Sequence, residues 1–303
     1  MSHTAELIAV GTELLLGNIA NTDAQTLSRE LSALGINVYY HTVVGDNPER
    51  LTRAVEIAKT RADLIITTGG LGPTCDDLTK NILAQAFGKE LVYNPEAARR
   101  MESYFQKLHP ESGKAITENN YQQVYLPDGC TPFQNDWGTA PGCGFEADGV
   151  RVIMLPGPPS ECGPMFHARV VPYLADLADG AIVNRSLRIF GMGESAVEFR
   201  LRDRMNAMHN PTLAPYAKEG EVELRITAKA SDPSAAQAII TPVEEELRSQ
   251  FGPLIYGADV SSLEEVCLAL LKEQGRSLAC AESCTGGLIA KRITDLPGAS
   301  AVF

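Results

Sequence analysis

A buried strand, a glycine-rich turn and the start of a helix follow one another within residues 62–80. Residues 64–66 form a short apolar run, which is typical of a parallel strand covered on both faces. Three glycines then leave the backbone free to approach a ligand, and they are Gly69, Gly70 and Gly72. Free N–H groups next to the positive end of a helix favour an anion, so the turn predicts a phosphate site. The alternative is an ordinary tight turn.

Two aspartates, Asp76 and Asp77, follow the glycines, and either is placed to cap the helix that begins there. Carboxylates repel a bare phosphate, but a divalent cation between carboxylate and phosphate reconciles them. The turn is not a P-loop, because no Gly-Lys-Ser/Thr follows, and it lacks the third glycine of the dinucleotide fingerprint. The sequence therefore indicates a metal-assisted phosphate site, with a capped turn as the alternative.

The first ninety residues alternate between strand and helix patterns. Strands are predicted near residues 6–10, 38–44 and 64–66, and helices follow each strand, the first from about Asp23 to Leu34 with Asn21 or Thr22 as its cap. Strict β-α-β-α alternation predicts a parallel sheet with helices on both faces, which is a three-layer α/β domain. Ligands of such sheets bind outside the carboxyl ends of the strands.

Polar side chains gather in the loops at that rim of the predicted sheet. They are Thr12, Glu13, Asn18, Asp23, Asp46, Asp76 and Asp77. A second turn should join them after the strand at residues 152–155, where a Pro-Gly-Pro-Pro-Ser sequence contains Gly157 and Pro158, and Ser160 can cap the next helix. Two such turns on one rim can hold a pyrophosphate from both sides. Residues 94–136 are less regular, with a helix predicted near 96–108 and a turn at 135–142 leading into an edge hairpin.

The composition excludes several classes of protein. The 303 residues are 44% hydrophobic and carry a formal net charge of −12, which describes a globular chain and opposes binding to nucleic acid or to an anionic membrane. No apolar run is long enough to cross a membrane and no signal peptide is present, so we expect a cytoplasmic protein. The seven cysteines are scattered and are expected to be reduced thiols.

Five motifs of the first half resemble the N-terminal domain of the CinA family, which is related to the molybdopterin-binding fold. In order, they are GTELLLGNIANTD, TTGGLGPTCDDLT, ENNYQQ, GTAPG and LPGPPSE. The resemblance implies a domain at residues 1–178 that hydrolyses ADP-ribose at its pyrophosphate, with a divalent metal (Mg, Mn or Co) and potassium. Carried over by motif, the residues that hold phosphate and metal are Gly69, Gly70, Gly72, Thr74, Asp76, Asp77 and Thr79, with Gly157, Pro158 and Ser160 opposite.

The resemblance gives no secure list of metal ligands, and Asp76 and Asp77 are the residues we favour. Hydrolysis of a pyrophosphate needs an oriented water and neutralised phosphate oxygens, but no covalent nucleophile. Since the loops contain no histidine, Asp23 or Glu13 is a candidate for activating the water. Each of the two is equally well explained as a cap or turn residue. Thr12, Glu13 and Asn18 are further candidates for contacting the substrate.

Residues 184–258 change character and predict a small α+β domain. Residues 221–230 alternate between polar and apolar, as half-exposed strands do, and a helix runs through 242–249. The segment is similar to the KH-like middle domain of CinA proteins but contains no G-x-x-G, the loop that clamps RNA. A linking or dimerising role is therefore favoured over RNA binding. We expect a homodimer, although no residue identifies its interface.

Residues 261–303 begin a third unit, which should be α/β. A strand is predicted at residues 277–281, followed by the ESCTGG turn and a helix from Leu288 to Thr294. ESCTGG resembles the opening of the C-terminal CinA domain, the nicotinamide mononucleotide deamidase. The resemblance implies that Ser283 is its nucleophile, with Thr285 and the backbone of Gly286 supporting the nucleotide or the oxyanion. Because no histidine follows His209, we expect this chain, which resembles a truncated CinA protein, not to deamidate unaided.

Three functions from different classes follow from these observations. The first is a metal-dependent ADP-ribose pyrophosphatase joined to an amidase, both serving pyridine-nucleotide recycling. The second is a module that binds a molybdopterin-like or adenylylated cofactor without turnover, which the fold relationship alone allows. The third is an adaptor in competence or DNA-damage responses. The ESCTGG segment favours the first, because an amidase for a pyridine nucleotide is a natural neighbour of an ADP-ribose hydrolase.

Overall fold

The computed structural model of the chain describes residues 3–108 and 116–303. It contains two compact units, Met1–Ala181 and Ile182–Phe303. The stretch 94–136, for which an irregular structure is predicted, includes residues 109–115, which lie outside the described residues. None of the helices in the described ranges is long and apolar enough to span a membrane.

Strands and helices alternate through the first half of the first unit. Its strands are β1 (Thr4–Val10), β2 (Asn37–Val44), β3 (Leu64–Thr68), β4 (Leu91–Tyr93), β5 (Tyr125–Pro127), β6 (Thr131–Phe133), β7 (Gly142–Ala147) and β8 (Val150–Leu155). Its helices are α1 (Thr12–Leu15), α2 (Thr22–Ala33), α3 (Pro48–Lys59), α4 (Thr79–Ala86), α5 (Pro95–Leu108), α6 (Pro159–Met165) and α7 (Val171–Tyr173). A 3₁₀ helix, Glu118–Val124, leads into β5.

Six strands form the main sheet in the order β2-β1-β3-β8-β7-β6. The four strands β2, β1, β3 and β8 are parallel, and β7 and β6 add an antiparallel hairpin at one edge. Apolar side chains cover both faces, because β3 contributes Ile65 to one core and Leu64 and Ile66 to the other. The three-layer α/β fold predicted from the alternation is confirmed.

Local chemistry explains where several of these helices begin. The side chain of Asn21 accepts a hydrogen bond from Ala24 N at the start of α2. Asn47 accepts one from Arg50 N at the start of α3, and Pro48 occupies the first helical position, where its missing N–H costs nothing. The strands that precede these helices, β1 and β2, pair in parallel with Val10 opposite Val44, so their carboxyl ends lie at the same rim of the sheet.

Two of the predicted caps are wrong. Neither Asp76 nor Asp77 caps α4, whose N-cap residue is Leu78, because the Asp77 carboxylate is already engaged by Thr74 within the preceding turn. Ser160 does not cap α6 either. It lies inside that helix, which begins at Pro159, a residue well suited to a first helical position.

The second unit contains a four-stranded sheet packed against two helices. The strands are β9 (Ala181–Phe190), β10 (Thr212–Lys218), β11 (Glu221–Ala230) and β12 (Ile255–Ala258), and the sheet order is β10-β11-β9-β12. The helices are α8 (Glu194–Ala207) and α9 (Pro233–Phe251). One apolar core joins them, with Leu224 and Ile226 of β11 packing against Ile240 of α9. The α+β character predicted from the sequence is present.

The last segment of the chain is helical. It contains α10 (Leu263–Glu273) and α11 (Leu288–Thr294), joined by a small core that includes Leu268 and Ile293. The strand predicted at residues 277–281 is wrong. These residues form no strand, since a strand is stable only when a partner satisfies its backbone, and none of the described strands pairs with them.

Candidate functional site

A cleft of about 480 Å³ lies at the carboxyl ends of β1, β3 and β8. Loops after each of these strands line it, as the geometry of a parallel sheet requires. Ten residues predicted from the sequence contribute to its walls, namely Glu13, Asp46, Gly69, Gly70, Gly72, Thr74, Asp76, Asp77, Gly157 and Pro158. A stretch of sequence more than eighty residues after the glycine turn thus reaches the same cavity.

The glycine turn and the proline turn meet face to face. A Cβ added to Gly157 would lie 3.2 Å from Gly69 Cα, so the two backbones approach with no side chain between them. Gly69 has φ +92° and a Cβ there would overlap Val10 O, the last residue of β1. Only glycine allows the three strand ends to come this close.

The backbone of the glycine turn offers hydrogen-bond donors to the cleft. Gly69 N donates to Leu155 O, but no acceptor within the described residues receives the N–H groups of Gly70, Leu71 and Gly72, all of which line the cavity. Thr79 fixes the turn from behind, since its hydroxyl donates to Gly69 O at 2.8 Å and its N–H to Gly70 O. Consecutive free N–H groups in such a turn form an anion site.

Asp77 closes a small loop on Thr74. Its Oδ2 accepts from Thr74 N at 2.8 Å and from the Thr74 hydroxyl at 2.6 Å. A Cβ at Gly72 would lie 2.6 Å from the same oxygen, so the carboxylate rests directly against the glycine turn. The hydrogen bond from its own N–H lowers the pKa of Asp76. Asp76 therefore carries a negative charge at neutral pH beside the free N–H groups.

The loop after β1 supplies the opposite rim. The N–H and the hydroxyl of Thr12 donate to Asp46 Oδ2, at 2.9 and 2.7 Å, which ties this loop to the end of β2. Glu13 and Asp46 line the cleft, whereas Thr12 acts through Asp46. Asn18 is exposed, does not line the cleft and donates its backbone N–H to Glu13 O. The structure thus brings Glu13 into the site but leaves Asn18 outside it.

Asp23 lies in a recess of about 40 Å³ that shares Glu13 and Gly157 with the cleft. Only 8% of Asp23 is exposed. Burial raises the pKa of Asp23 to about 6, although a hydrogen bond from the Cys162 thiol opposes the shift. Burial and the charge of Asp23 in turn raise the pKa of Cys162 well above its usual range. Asp23 is therefore a carboxylate that gains and loses a proton near neutral pH.

Glu161, for which no role is predicted from the sequence, also lines the cleft. Its Oε2 accepts from Asn135 Nδ2 at 2.6 Å, and its carboxylate occupies the space that a Cβ on Gly138 would fill. Burial raises the pKa of Glu161, and the hydrogen bond from Asn135 opposes that shift. Glu161 is the last residue of the LPGPPSE motif, so the sequence could place it near the cleft. The motif could not predict its contact with residues 135–141.

Lys80 and Gln123 form a buried polar pair behind the cleft. Lys80 is 4% exposed, and its Nζ donates to Gln122 O and Gln123 O at 2.7 and 2.8 Å. Burial lowers the pKa of Lys80 to about 8. Gln123 lines the cleft, and its Oε1 is buried without a partner in the described part of the chain. The lysine thereby fastens the ENNYQQ segment to the start of α4.

The remaining predicted residues are Ser160 in the first unit and three residues of the ESCTGG turn in the second. Ser160 is exposed within α6. In the second unit, Ser283 Oγ lies 3.8 Å from Cys284 Sγ, and Gly286 adopts φ +63° in the turn before α11. The Thr285 hydroxyl donates to Glu282, whose carboxylate also accepts from Ile289 N and Ala290 N. Glu282 thus caps α11, and Thr285 supports that cap.

The donor set of the cleft fits a hard divalent cation only in part. Asp76 and Asp77 are adjacent oxygen ligands, but no group of three or more His, Cys, Asp or Glu side chains in residues 3–108 and 116–303 is placed to hold a metal. Magnesium is commonly held by one or two carboxylates plus substrate phosphates. Asp76 and Asp77 beside the free N–H groups of the glycine turn provide the carboxylates that such a site needs.

Comparison with known proteins agrees with this architecture. A family model described as "Probable molybdopterin binding domain" matches residues 6–176. Models described as "Damage-inducible protein CinA KH domain" and "CinA C-terminal domain" match residues 184–257 and 260–303. A crystal structure of "the protein CinA with unknown function" from Thermoplasma acidophilum is 32% identical and covers 55% of this chain and 95% of its own, with a TM-score of 0.50.

Curated relatives match nearly the whole length of this chain. A "CinA-like protein" from Dictyoglomus turgidum is 51% identical over 298 residues, which are 98% of this chain and 72% of that protein. A Clostridium acetobutylicum relative, whose name includes "competence-damage inducible protein", is 48% identical over the same shares. Three family models in series and half-identical relatives along nearly the whole length lead to one conclusion: the chain belongs to the CinA family.

Proposed function

We propose that the first unit hydrolyses the pyrophosphate bond of ADP-ribose to give AMP and ribose 5-phosphate. One observation carries the proposal. The glycine turn and the proline turn face each other across backbone alone, at Gly69 and Gly157, with free N–H groups on one side and acidic side chains around them. A diphosphate is an extended anion with two charged groups, and it suits a narrow cleft that carries both donors and places for a cation.

The residues of the turn hold the phosphate oxygens. The N–H groups of Gly70, Leu71 and Gly72 donate to them, and no movement is needed because Thr79 already fixes the turn. Donors that are fixed in advance stabilise developing charge without the cost of reorganisation. Gly157 presents a second backbone surface on the other side, so the diphosphate is held between two rigid turns.

Asp76 and Asp77 would hold a divalent cation, Mg, Mn or Co, together with the phosphates. When bound, such a cation neutralises charge on the phosphate oxygens as bond cleavage proceeds. Asp77 keeps its carboxylate in place through Thr74, and Asp76 is ionised at neutral pH. The family resemblance also implies potassium, and we propose that this monovalent cation binds to the phosphates.

Asp23 is the group we assign as the proton acceptor for the attacking water. It lies in a recess that opens on the cleft, and a pKa of about 6 suits a base that works near neutral pH. Water forms the new O–P bond as its proton passes to Asp23, and the bridging P–O bond breaks. Glu13, which lines both cavities, is the competing candidate for this step.

The second unit belongs to a different activity in the same proposal. We infer that the C-terminal domain of CinA proteins deamidates nicotinamide mononucleotide, with Ser283 of the ESCTGG turn as nucleophile. The observation in favour is local: Ser283 is exposed and its hydroxyl donates only to the neighbouring Cys284 thiol among the described residues. Turnover of nicotinamide mononucleotide by the 303-residue chain, abolished by Ser283→Ala, would show that this segment already suffices.

A second candidate function is binding of a molybdopterin-like cofactor without turnover. The match of residues 6–176 to a molybdopterin-binding family favours it. A pterin ligand carries one phosphate-bearing side chain, so it needs the donors of the glycine turn but no base. A pterin complex that forms tightly while ADP-ribose is neither bound nor hydrolysed would favour this alternative.

The first test is chromatographic separation of products. The chain is incubated with ADP-ribose and, in turn, Mg²⁺, Mn²⁺ or Co²⁺, each with and without K⁺. The proposal predicts equal amounts of AMP and ribose 5-phosphate with at least one metal, and none after chelation. Intact ADP-ribose under every condition, with enzyme shown to be folded, would reject hydrolysis.

A further inference from the structure

A second cavity, of about 320 Å³, lies beside the cleft in the first unit. The start of α5, strand β6 and the segment after β6 enclose it. Thr139 lines both cavities, with Gly138 and Pro141 on the side of the new cavity and Ala140 on the side of the cleft. We call the new cavity the α5 pocket. Any ligand long enough to pass Thr139 can occupy both.

The walls of the α5 pocket suit a flat ring system. Ala97, Met101 and Phe133 contribute buried apolar surface, and prolines 132 and 141 complete it. Pockets for small organic ligands combine such walls with a few polar groups that fix orientation. The volume of about 320 Å³ is of the size that these ligands need.

The side chain of Asn94 offers a hydrogen-bond donor to the pocket. Asn94 Oδ1 accepts from Glu96 N and Ala97 N, at 3.1 and 2.9 Å, and two N–H donors define that atom as the oxygen. The amino group, Nδ2, makes no hydrogen bond with the described residues. Asn94 lines the pocket, so its side chain caps α5 with one end and offers a donor with the other.

The carboxylate of Glu96, two residues after Asn94, offers a hydrogen-bond acceptor to the pocket. Glu96 lies at the mouth of the pocket, and its Oε1 accepts from Arg100 Nη2 at 2.8 Å, while Oε2 has no partner among the described residues. The edge of adenine presents an amino group next to a ring nitrogen acceptor, so it can pair with one donor and one acceptor of this kind. Arg100 and Arg169, which also line the pocket, offer guanidinium planes on which a base can stack.

The other end of the cleft differs in both size and chemistry. The recess that holds Asp23 has only about 40 Å³, and its lining combines apolar residues with polar ones that include Asn21, Thr22 and Thr68. It is too small to enclose a purine, but its hydroxyl and carboxylate groups can hydrogen-bond the hydroxyls of a sugar that lies at its mouth. An elongated ligand with a base at one end and a sugar at the other therefore has one favourable direction.

We propose that the α5 pocket binds the adenine base of the substrate, with Asn94 Nδ2 donating to a ring nitrogen and Glu96 Oε2 accepting from the amino group. The diphosphate lies on the glycine turn, and the terminal ribose points to the recess at Asp23. This inference rests on the proposed function, because it assumes that a nucleotide diphosphate occupies the cleft. It adds the direction of the substrate and the residues that select its base.

Two substitutions change the donor and the acceptor with little effect on the fold. Asn94→Asp keeps an oxygen that caps α5, since Asp and Asn are equally good caps, but it removes the free amino group. Glu96→Gln keeps the length and shape of the side chain and removes its charge. The two variants change the net charge in opposite directions, so a mere charge effect on an anionic ligand would move its affinity in opposite directions.

Equilibrium dialysis against AMP and against inorganic pyrophosphate, both with Mn²⁺, tests the proposal on the full chain. Each variant should weaken AMP binding about three- to tenfold, the loss expected for one hydrogen bond, and leave pyrophosphate binding within about twofold. Asp77→Asn should weaken both ligands. Unfolding curves of the two variants that overlay that of the wild-type chain provide the control for folding.

Different failures lead to different conclusions. If pyrophosphate binds and Asp77→Asn weakens it, but neither pocket variant changes AMP affinity, the α5 pocket does not hold the base and the proposed function survives. If Asn94→Asp weakens AMP and Glu96→Gln strengthens it, the effect is one of charge and the assignment of the base is rejected. If the wild-type chain binds neither ligand, both this inference and the proposed function fail.

Discussion

Asn135 Nδ2 lies 2.6 Å from Glu161 Oε2 and also donates to Ala140 O at 2.8 Å. One side chain therefore joins the segment after β6 to the first turn of α6. A Cβ at Gly138 would overlap the Glu161 carboxylate, so a larger residue there must displace that side chain. Asn135 and Gly138 line the α5 pocket and Glu161 lines the cleft, so the junction belongs to the walls of both cavities.

Gly138→Ala should lower the free energy of unfolding of the first unit by about 1–3 kcal/mol, because its methyl group displaces the half-buried Glu161 carboxylate from Asn135. The Gly138→Ala/Glu161→Ala double variant should lose less than the sum of the single changes, by at least about 0.5 kcal/mol. Trp137 is the only tryptophan of the sequence and lies in this segment, so urea unfolding followed by its fluorescence reports on the first unit. Strict additivity of the two changes would mean that the side chains do not meet.

Asp23 should make the stability of the first unit depend on pH. Burial raises its folded pKa from 3.8 to about 6, so the folded state binds the proton more tightly than the unfolded state. Asp23 contributes up to about 3 kcal/mol to the free energy of unfolding. This contribution is fully present below about pH 4 and is lost as pH rises through 6. Asp23→Asn removes this loss.

The difference in unfolding free energy between Asp23→Asn and the wild-type chain, again from Trp137 fluorescence, should therefore rise in favour of the variant between pH 4 and pH 7. Taking the difference cancels other groups, such as Glu161, whose pKa is also raised by burial. A difference that stays constant over this range would show that Asp23 titrates at an ordinary pKa.

The same carboxylate should control the rate of hydrolysis. If Asp23 accepts the proton of the attacking water, kcat/KM rises with pH and levels off above about 6, the pKa of the free enzyme. Asp23→Asn should lower the rate by about 10²-fold or more and abolish this limb, while Glu13→Gln leaves the limb in place. The reverse pattern would assign the base to Glu13 instead.

Lys80 should be needed for the fold rather than for binding. Lys80→Met leaves the buried carbonyl group of Gln123 and the partly buried one of Gln122 without their donor, which should lower the free energy of unfolding by about 2 kcal/mol or more at pH 7. Lys89→Met is the matched control, because Lys89 also donates to a carbonyl, Asp128 O, but at the surface. Equal and small losses for the two variants in urea unfolding would show that burial of Lys80 does not matter.

Periodic patterns predicted most of the first unit, because strands and helices that bury one or both faces must repeat apolar residues at fixed intervals. In helix α3, the periodic residues Leu51, Val55 and Ala58 are buried. Asn47 and Pro48 correctly predicted where this helix starts. The rim of the cleft followed from topology alone, since parallel strands bring their carboxyl ends together. Glu13 and Gly157, far apart in the sequence, accordingly line the same cavity.

The features that the sequence did not reveal depend on competing hydrogen bonds or on contacts between residues that are distant in the sequence. Asp77 was predicted as a cap, but the N–H and hydroxyl of Thr74 compete for its carboxylate. Glu161 meets Asn135 across 26 positions, and the α5 pocket exists only because residues near Asn94 and near Thr139 come together. No local pattern encodes such contacts. The prediction of a strand at 277–281 was wrong for a related reason, since a strand needs a partner strand from elsewhere in the chain.

The central claim is that the glycine-aspartate turn hydrolyses a pyrophosphate, and Asp77→Asn tests it most directly. Asparagine keeps an oxygen for the two donors of Thr74 but removes the negative charge. Asp128→Asn makes the same change on an exposed side chain that does not line the cleft, and serves as control. The measurement is the initial rate of AMP formation from ADP-ribose with the best metal and K⁺. We predict a loss of at least about 10²-fold for Asp77→Asn and wild-type rates for Asp128→Asn. Wild-type rates in both variants, or no AMP from the unmodified chain with any metal, would contradict the account.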